Sequence, residues 1–338
     1  MLARALRSFQ DDRPGMAVDA SPAMGFLRGM SLQSPAWLPT RVAVQPDKAY
    51  VLLQDVARND LRDPFLQQTV MRSSGPEEVL EIARDEAAAG AGVPAGIIFH
   101  VGRCGSTLVS QTLKQIDGLN VYAEPLAINE LLVPASTWSR AESIVLLRRV
   151  AQLFARHAAG PYVWKLTSWN ALFASLFAEA FPNTPWVFCV RDPVEVGVSV
   201  LRDAPAWFAA ADPRALTIAR LYGATAGDKP EARFLKLFAA LCGAVADIGP
   251  NRGQLVDYID LPNAIWNGVA PHCGFEPTDA ERERMSDLAK TYAKAPLGQS
   301  RPFYSDAAAK RGEATTELRA GAEIAADALT HLRGVMLR

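Results

Sequence analysis

Arg103, Ser106 and Thr107, set around Gly102 and Gly105, are the side chains of this sequence best suited to gripping an anion. They fall in Gly96-Ile97-Ile98-Phe99-His100-Val101-Gly102-Arg103-Cys104-Gly105-Ser106-Thr107-Leu108, which reads as a buried strand, a glycine-punctuated turn and the start of an amphipathic helix. Such a turn presents backbone N–H groups, including that of Cys104, to a negative group, and the helix N-terminus favours negative charge there. The two glycines let the backbone approach a ligand closely, and the two hydroxyls add donors in the first helical turn. The pattern differs from the phosphate loop of ordinary kinases and ATPases. That loop requires a Lys directly before its hydroxyl residue, where this chain has Gly105, and its cation comes earlier, as Arg103.

A second anion site is written further along. The apolar run Trp186-Val187-Phe188-Cys189-Val190 ends in Arg191-Asp192-Pro193, and Ser199 follows eight residues after Arg191. Asp192 is placed to cap a helix that begins at Pro193. Arg191 at the strand end and Ser199 two helical turns on could then hold one phosphate from two directions. The plain alternatives are a surface arginine and a solvent-facing serine.

The pair Gly102-Arg103-Cys104-Gly105-Ser106-Thr107 and Arg191-Asp192-Pro193-Val194-Glu195-Val196-Gly197-Val198-Ser199 resembles the two cofactor-binding signatures of the sulfotransferases that use 3′-phosphoadenosine 5′-phosphosulfate (PAPS). Weaker similarity runs from Gly96 to near Arg319. The resemblance implies an α/β fold of the P-loop type, a three-layer sandwich whose central parallel sheet is flanked by helices, and a reaction that needs no metal. It implies that the first loop holds the 5′-phosphosulfate and that Arg191 and Ser199 hold the 3′-phosphate. It further implies that Lys165, at the end of Tyr162-Val163-Trp164-Lys165, approaches the transferred sulfuryl group, where a cation offsets charge developing on the leaving phosphate. Many soluble members carry a catalytic His two positions after this Lys; here that position is Thr167, so a His base there is absent.

Glu124, in Tyr122-Ala123-Glu124-Pro125, is then the candidate general base, since a carboxylate within hydrogen-bond reach can take the proton of an attacking hydroxyl. Ordinary turn chemistry is its alternative. Lys310-Arg311-Gly312 resembles the basic element with which many sulfotransferases close over the 3′-phosphate, although the residues that usually follow are missing. A solvated basic turn is the other reading. Trp207 and Phe208 are candidates for a lid over the acceptor pocket or for core packing. Cys104, one of four scattered cysteines, reads first as a buried reduced thiol; a lowered pKa in an electropositive loop is the lesser alternative. His100, inside a strand, reads as a packed core residue, and the four histidines form no metal-ligand spacing.

The implied reaction moves a sulfuryl group from PAPS to a hydroxyl, or less favourably an amine, of a small-molecule, carbohydrate or peptide acceptor. Two rivals stay open: an ATP-dependent phosphotransferase on the same fold, and a non-catalytic nucleotide-binding module. The acceptor loops are expected at 125–141, 203–230 and 296–310.

The elements that must position these residues alternate from residue 94 onward. Strands are expected at 96–101, 120–123, 162–166, 186–190 and 254–259, and helices at 105–116, 142–157, 169–180, 193–202, 278–292 and 315–333. Repeated strand–helix units argue for a parallel sheet covered on both faces, with ligands at the carboxyl ends of the strands. Residues 94–338 thus form the expected P-loop domain. Residues 1–93 form an accessory region: an arm to about residue 30, a strand at 48–54, a helix start at 63–66 and a helix from Pro76 to Ala89. Acceptor recognition or homodimer formation are its candidate roles.

Composition narrows the class. The 338 residues are 49% hydrophobic with a net charge of −1, enough for a large core and without the basic excess of a nucleic-acid binder. No apolar run approaches the roughly 20 residues that span a bilayer. Met1–Asp19 has no apolar signal-like core. A cytoplasmic enzyme without nucleic-acid or membrane partners is the expectation.

Overall fold

Strands β4 (Gly96–His100), β6 (Tyr162–Lys165) and β7 (Trp186–Val190) are buried at every residue, as strands covered by helices on both faces must be. They pair in parallel with β5 (Asn120–Ala123) and β8 (Gly253–Asp257) in a five-stranded sheet of order β5-β6-β4-β7-β8. This computed structural model describes residues 37–58, 61–84, 92–133, 138–208, 213–291, 293–294 and 307–337. The expected N-terminal arm and most of the segment 296–310 lie outside them.

The order places a switch point beside β4. From β4 the chain passes to the far edge at β5, returns at β6, and then crosses to the other side of β4 at β7. The loops after β4 and β7 therefore diverge and leave a crevice at the carboxyl ends of the strands, where open α/β sheets take ligands. The helix following β4, α2 (Ser106–Leu113), and the helix following β7, α6 (Pro193–Arg202), both start at this edge. Beneath it, Phe99 and Phe177 meet edge-on at 5.5 Å, as do Phe154 and Trp164. Such pairs add to the stabilisation that comes from burying their area.

Most helical expectations hold, with one division. Residues 168–173 form a 3₁₀ turn before the α-helix 174–180, so the expected helix 169–180 is two pieces. The stretch expected as a helix from Pro76 to Ala89 is corrected as far as residue 84; residues 85–89 lie outside the described ones. Glu77–Ala83 is a strand, β3, paired antiparallel with β2 (Lys48–Asp55), which pairs in turn with β1 (Trp37–Val44). The acids that suggested a helical first turn instead include a cross-strand partner, with Glu81 Oε2 3.4 Å from Lys48 Nζ. Val79 and Ile82 suit a pleated surface, and pairing with a remote strand overrides local helical preference.

This three-stranded sheet is bonded to the larger one at buried points. Glu130, on the helix Leu126–Leu132 that follows Glu124, accepts from Arg41 Nε at 2.7 Å and from the Val42 N–H at 2.9 Å. His157 donates from Nε2 to the Val56 carbonyl at 2.8 Å, which leaves Nδ1 to accept from the Tyr122 hydroxyl at 2.6 Å. Tyr122 lies on β5, two residues before Glu124. Burial holds the His157 imidazole neutral, its pKa pulled down to about 4.

Candidate functional site

The loop after β4 is built from left-handed backbone. Gly102, Arg103 and Gly105 have φ of 84°, 49° and 84°, a run that turns successive N–H groups to one side. Glycine at 105 is required twice over. Its φ disfavours a side chain, and a Cβ there would stand 2.5 Å from Leu261 Cδ1 and 3.0 Å from Tyr258 Cδ2. His100 anchors the loop from below: its Nδ1 accepts from the Gly102 N–H at 2.9 Å, while Nε2 bonds the Leu166 carbonyl at 2.8 Å. Burial, then the nearby Lys165 charge, holds this ring's pKa well below the usual value. It is a neutral strut, as its strand position suggested, and it shapes the cradle directly.

The loop's side chains divide. Ser106 and Thr107 are buried and line a cavity of about 1300 Å³. Arg103 lines it too, with its guanidinium paired to Asp203 at 2.5 Å. Cys104 points into the core, Sγ 3.2 Å from the Cys189 carbonyl. Burial raises its thiol pKa, in line with the preferred reading of a buried thiol and against the lesser one of an activated cysteine. Its contribution to a ligand is restricted to the backbone.

Glu124 and Lys165 stand at the ends of adjacent strands, since the register pairs Ala123 with Lys165 and the Glu124 N–H donates to the Lys165 carbonyl at 2.6 Å. Glu124 holds a left-handed φ of 55°, a strained conformation for a residue with a side chain and one that clusters at functional sites. Its carboxylate pairs with the Lys165 ammonium, and its Oε1 is 3.9 Å from His100 Nε2. Lys165 is only 1% exposed while Glu124 is half-buried, and both line the cavity. Thr167 is buried beside it and lines the same space.

Across the crevice, Asp192 Oδ1 accepts from the N–H groups of Val194 and Glu195, both at 3.0 Å, and Pro193 opens α6, as the sequence anticipated. Arg191 and Ser199 both face the cavity. Arg191 donates from Nε to Glu195 Oε2 at 2.7 Å, and its guanidinium lies 3.9 Å over the Tyr258 ring. The other oxygen of Glu195 pairs with Arg311 at 2.8 Å. Lys310 and Arg311 line the cavity with them, on the helix Ala307–Glu313 rather than in a free turn. Ser199 Oγ donates back to the Glu195 carbonyl at 3.1 Å. The geometry thus brings every proposed site residue to one cavity, Cys104 through its backbone alone.

The chain is similar to several solved structures, three of which follow. The sulfotransferase domain from the Synechococcus PCC 7002 olefin synthase is 16% identical, over 72% of this chain and 96% of that one, with a TM-score of 0.44. The sulfotransferase domain from the curacin biosynthetic pathway is 15% identical, over 71% and 99%, with a TM-score of 0.43. Sulfotransferase STF9 from Mycobacterium avium is 14% identical, over 71% and 77%, with a TM-score of 0.44. No family model and no curated protein sequence matches the chain.

Several cavity residues carry no local motif. Glu195 was within reach of sequence reasoning, being four residues after Arg191 on a helix. Tyr258, Lys294, Arg333 and Phe65 arrive from remote elements and have no such signal. Trp207 lines the cavity, whereas Phe208 is buried under the Arg233 guanidinium, so only the first can serve a lid. Among the described residues no cluster of His, Cys, Asp and Glu is arranged for a metal. Among them, too, no helix is long and apolar enough to cross a membrane.

Proposed function

We propose that this protein is a sulfotransferase that takes a sulfuryl group from PAPS. The observation that carries the reading is the meeting of two anion cradles and a paired base and cation in one cavity. The loop Gly102–Thr107 stands on one side, Arg191 and Ser199 on the other, and Glu124 paired with Lys165 lines it too. An adenine nucleotide with phosphate at both its 3′ and 5′ positions is the ligand class that needs two such cradles.

In the proposed reaction the acceptor hydroxyl oxygen attacks sulfur in line, and the bond from sulfur to the 5′-phosphate oxygen breaks with its electron pair. The products are a sulfate ester and 3′-phosphoadenosine 5′-phosphate (PAP). Glu124 receives the hydroxyl proton. Lys165 stabilises the charge growing on the departing oxygen, and the loop amides with Arg103 hold the 5′ group. The Lys165–Glu124 contact gives both residues a defined starting geometry.

The test is calorimetric titration with PAP beside magnesium-ATP. PAP is expected to bind without a metal requirement and to lose roughly a hundredfold in affinity in Arg191→Ala, the effect of removing a charge-assisted contact of up to about 3 kcal/mol. Preference for magnesium-ATP would move the phosphotransferase to first place. Glu124→Gln is expected to keep PAP affinity while turnover drops on the order of 10²–10⁴-fold, the usual share of a general base.

A further inference from the structure

The N-terminal sheet and the turn between its strands β2 and β3 are built onto the elements that carry the site. Asp63 is buried, and its Oδ2 accepts from Thr69 Oγ1 at 2.8 Å and from Arg72 Nε at 3.2 Å. Its carbonyl accepts from Lys114 Nζ at 2.5 Å, at the end of helix α2, whose first residue is Ser106. Two residues on, the Phe65 N–H is held by Gln68 Oε1 at 3.3 Å. The backbone at Asp63 and at Phe65 is therefore held in place.

That ring is half-buried on the cavity wall. Its centroid lies 5.4 Å from Lys165 Nζ, the same ammonium that pairs with Glu124. An apolar flat surface is thus one side chain away from the carboxylate assigned as base. The ring itself carries no charge, so what it offers an acceptor is shape and carbon surface. Its approach to Lys165 places Phe65 beside the Glu124–Lys165 pair in the cavity lining.

We propose that Phe65 makes the N-terminal region one wall of the acceptor pocket, selecting an acceptor whose reacting hydroxyl is carried beside a flat carbon face, either an aromatic ring or the C–H face of a sugar. The proposal rests on the sulfotransferase reading. Stacking on Phe65 orients the ring so that its hydroxyl points at Glu124.

The experiment uses the full chain saturated with PAP. Three probes are titrated and followed by saturation-transfer NMR: 2-naphthol, methyl β-glucoside and 1-hexanol. One of the two ring compounds is expected to bind at least tenfold more tightly than hexanol, and which one tells an aromatic acceptor from a sugar. Phe65→Ala is expected to abolish that preference, Phe65→Trp to retain it, and Phe65→Leu, which keeps most of the volume, to weaken it without loss of thermal stability. PAP affinity stays within twofold in all three variants. Equal binding of hexanol and rings, no ring binding at all, or a ring preference untouched in Phe65→Ala overturns the proposal. Failure of the wild type to bind PAP overturns it too, and separately marks the underlying reading as the fault.

Discussion

The carboxylate of Glu195 accepts from Arg191 through one oxygen and pairs with Arg311 through the other, so two cations reach the cavity as a braced pair. Holding an arginine fork before the ligand arrives removes part of the ordering cost of binding. Glu195→Gln is therefore expected to weaken PAP binding roughly tenfold while Arg191 is still present; titration of the two single variants and the double variant measures the coupling. Lys294 supplies a second expectation. It faces Arg103, Lys165, Glu124 and Cys104, and burial, helped by the two cations, lowers its pKa to about 8. A charged lysine attracts the phosphates and a neutral one does not, so PAP affinity should decline as pH rises through about 8. Lys294→Met should remove that limb, read by titrations between pH 7 and 9. Arg191 and Ser199 were legible because their spacing lies within one strand–helix unit. Lys294 and Phe65 were not, because only the folded chain brings them to the cavity.

At the level of elements, the strand-to-helix turn after β4 depends on Gly105 more than on any side chain in it. Gly105→Ala would combine a left-handed φ with a collision against Leu261, so a loss of about 1–3 kcal/mol in stability and a marked loss of PAP affinity are expected. Gly118→Ala is the matched comparison. Its φ of 77° is similar and no atom lies within 4 Å of an added Cβ, so denaturation should register the strain while titration finds PAP binding unchanged. The parallel sheet was readable from apolar runs followed by helical patterns, and the Asp192-Pro193 cap from local chemistry alone. Strand β3 was not, because Glu77, Glu78 and Glu81 carry a helical first-turn signature. What decides their state is a partner strand roughly thirty residues away, from Lys48 to Asp55.

Across the whole molecule, acid should loosen the join between the two sheets. His157 is neutral in the fold with a pKa of about 4, against 6.5 for a free imidazole. Below pH 6.5 the unfolded chain takes up a proton that the folded one refuses. Stability fully present above pH 6.5 is thus lost progressively as pH falls towards 4, on the order of 3 kcal/mol. Urea denaturation at pH 7.5, 6, 5 and 4 checks this, and His157→Gln should show a shallower decline. The alternation of strands and helices let the fold class be read from the chain. The attachment of the N-terminal sheet through Glu130, His157 and Lys114 could not be read, since each of those bonds joins residues that are more than fifty positions apart. One ring carries a last consequence. Tyr258 lies under the Arg191 guanidinium and would also touch a Cβ of Gly105, so the loop and the arginine abut a common spacer. On the proposed reading their separation works as a calliper: the site would measure the span between two phosphates, and a nucleotide with the right charges at the wrong span would fit one jaw only.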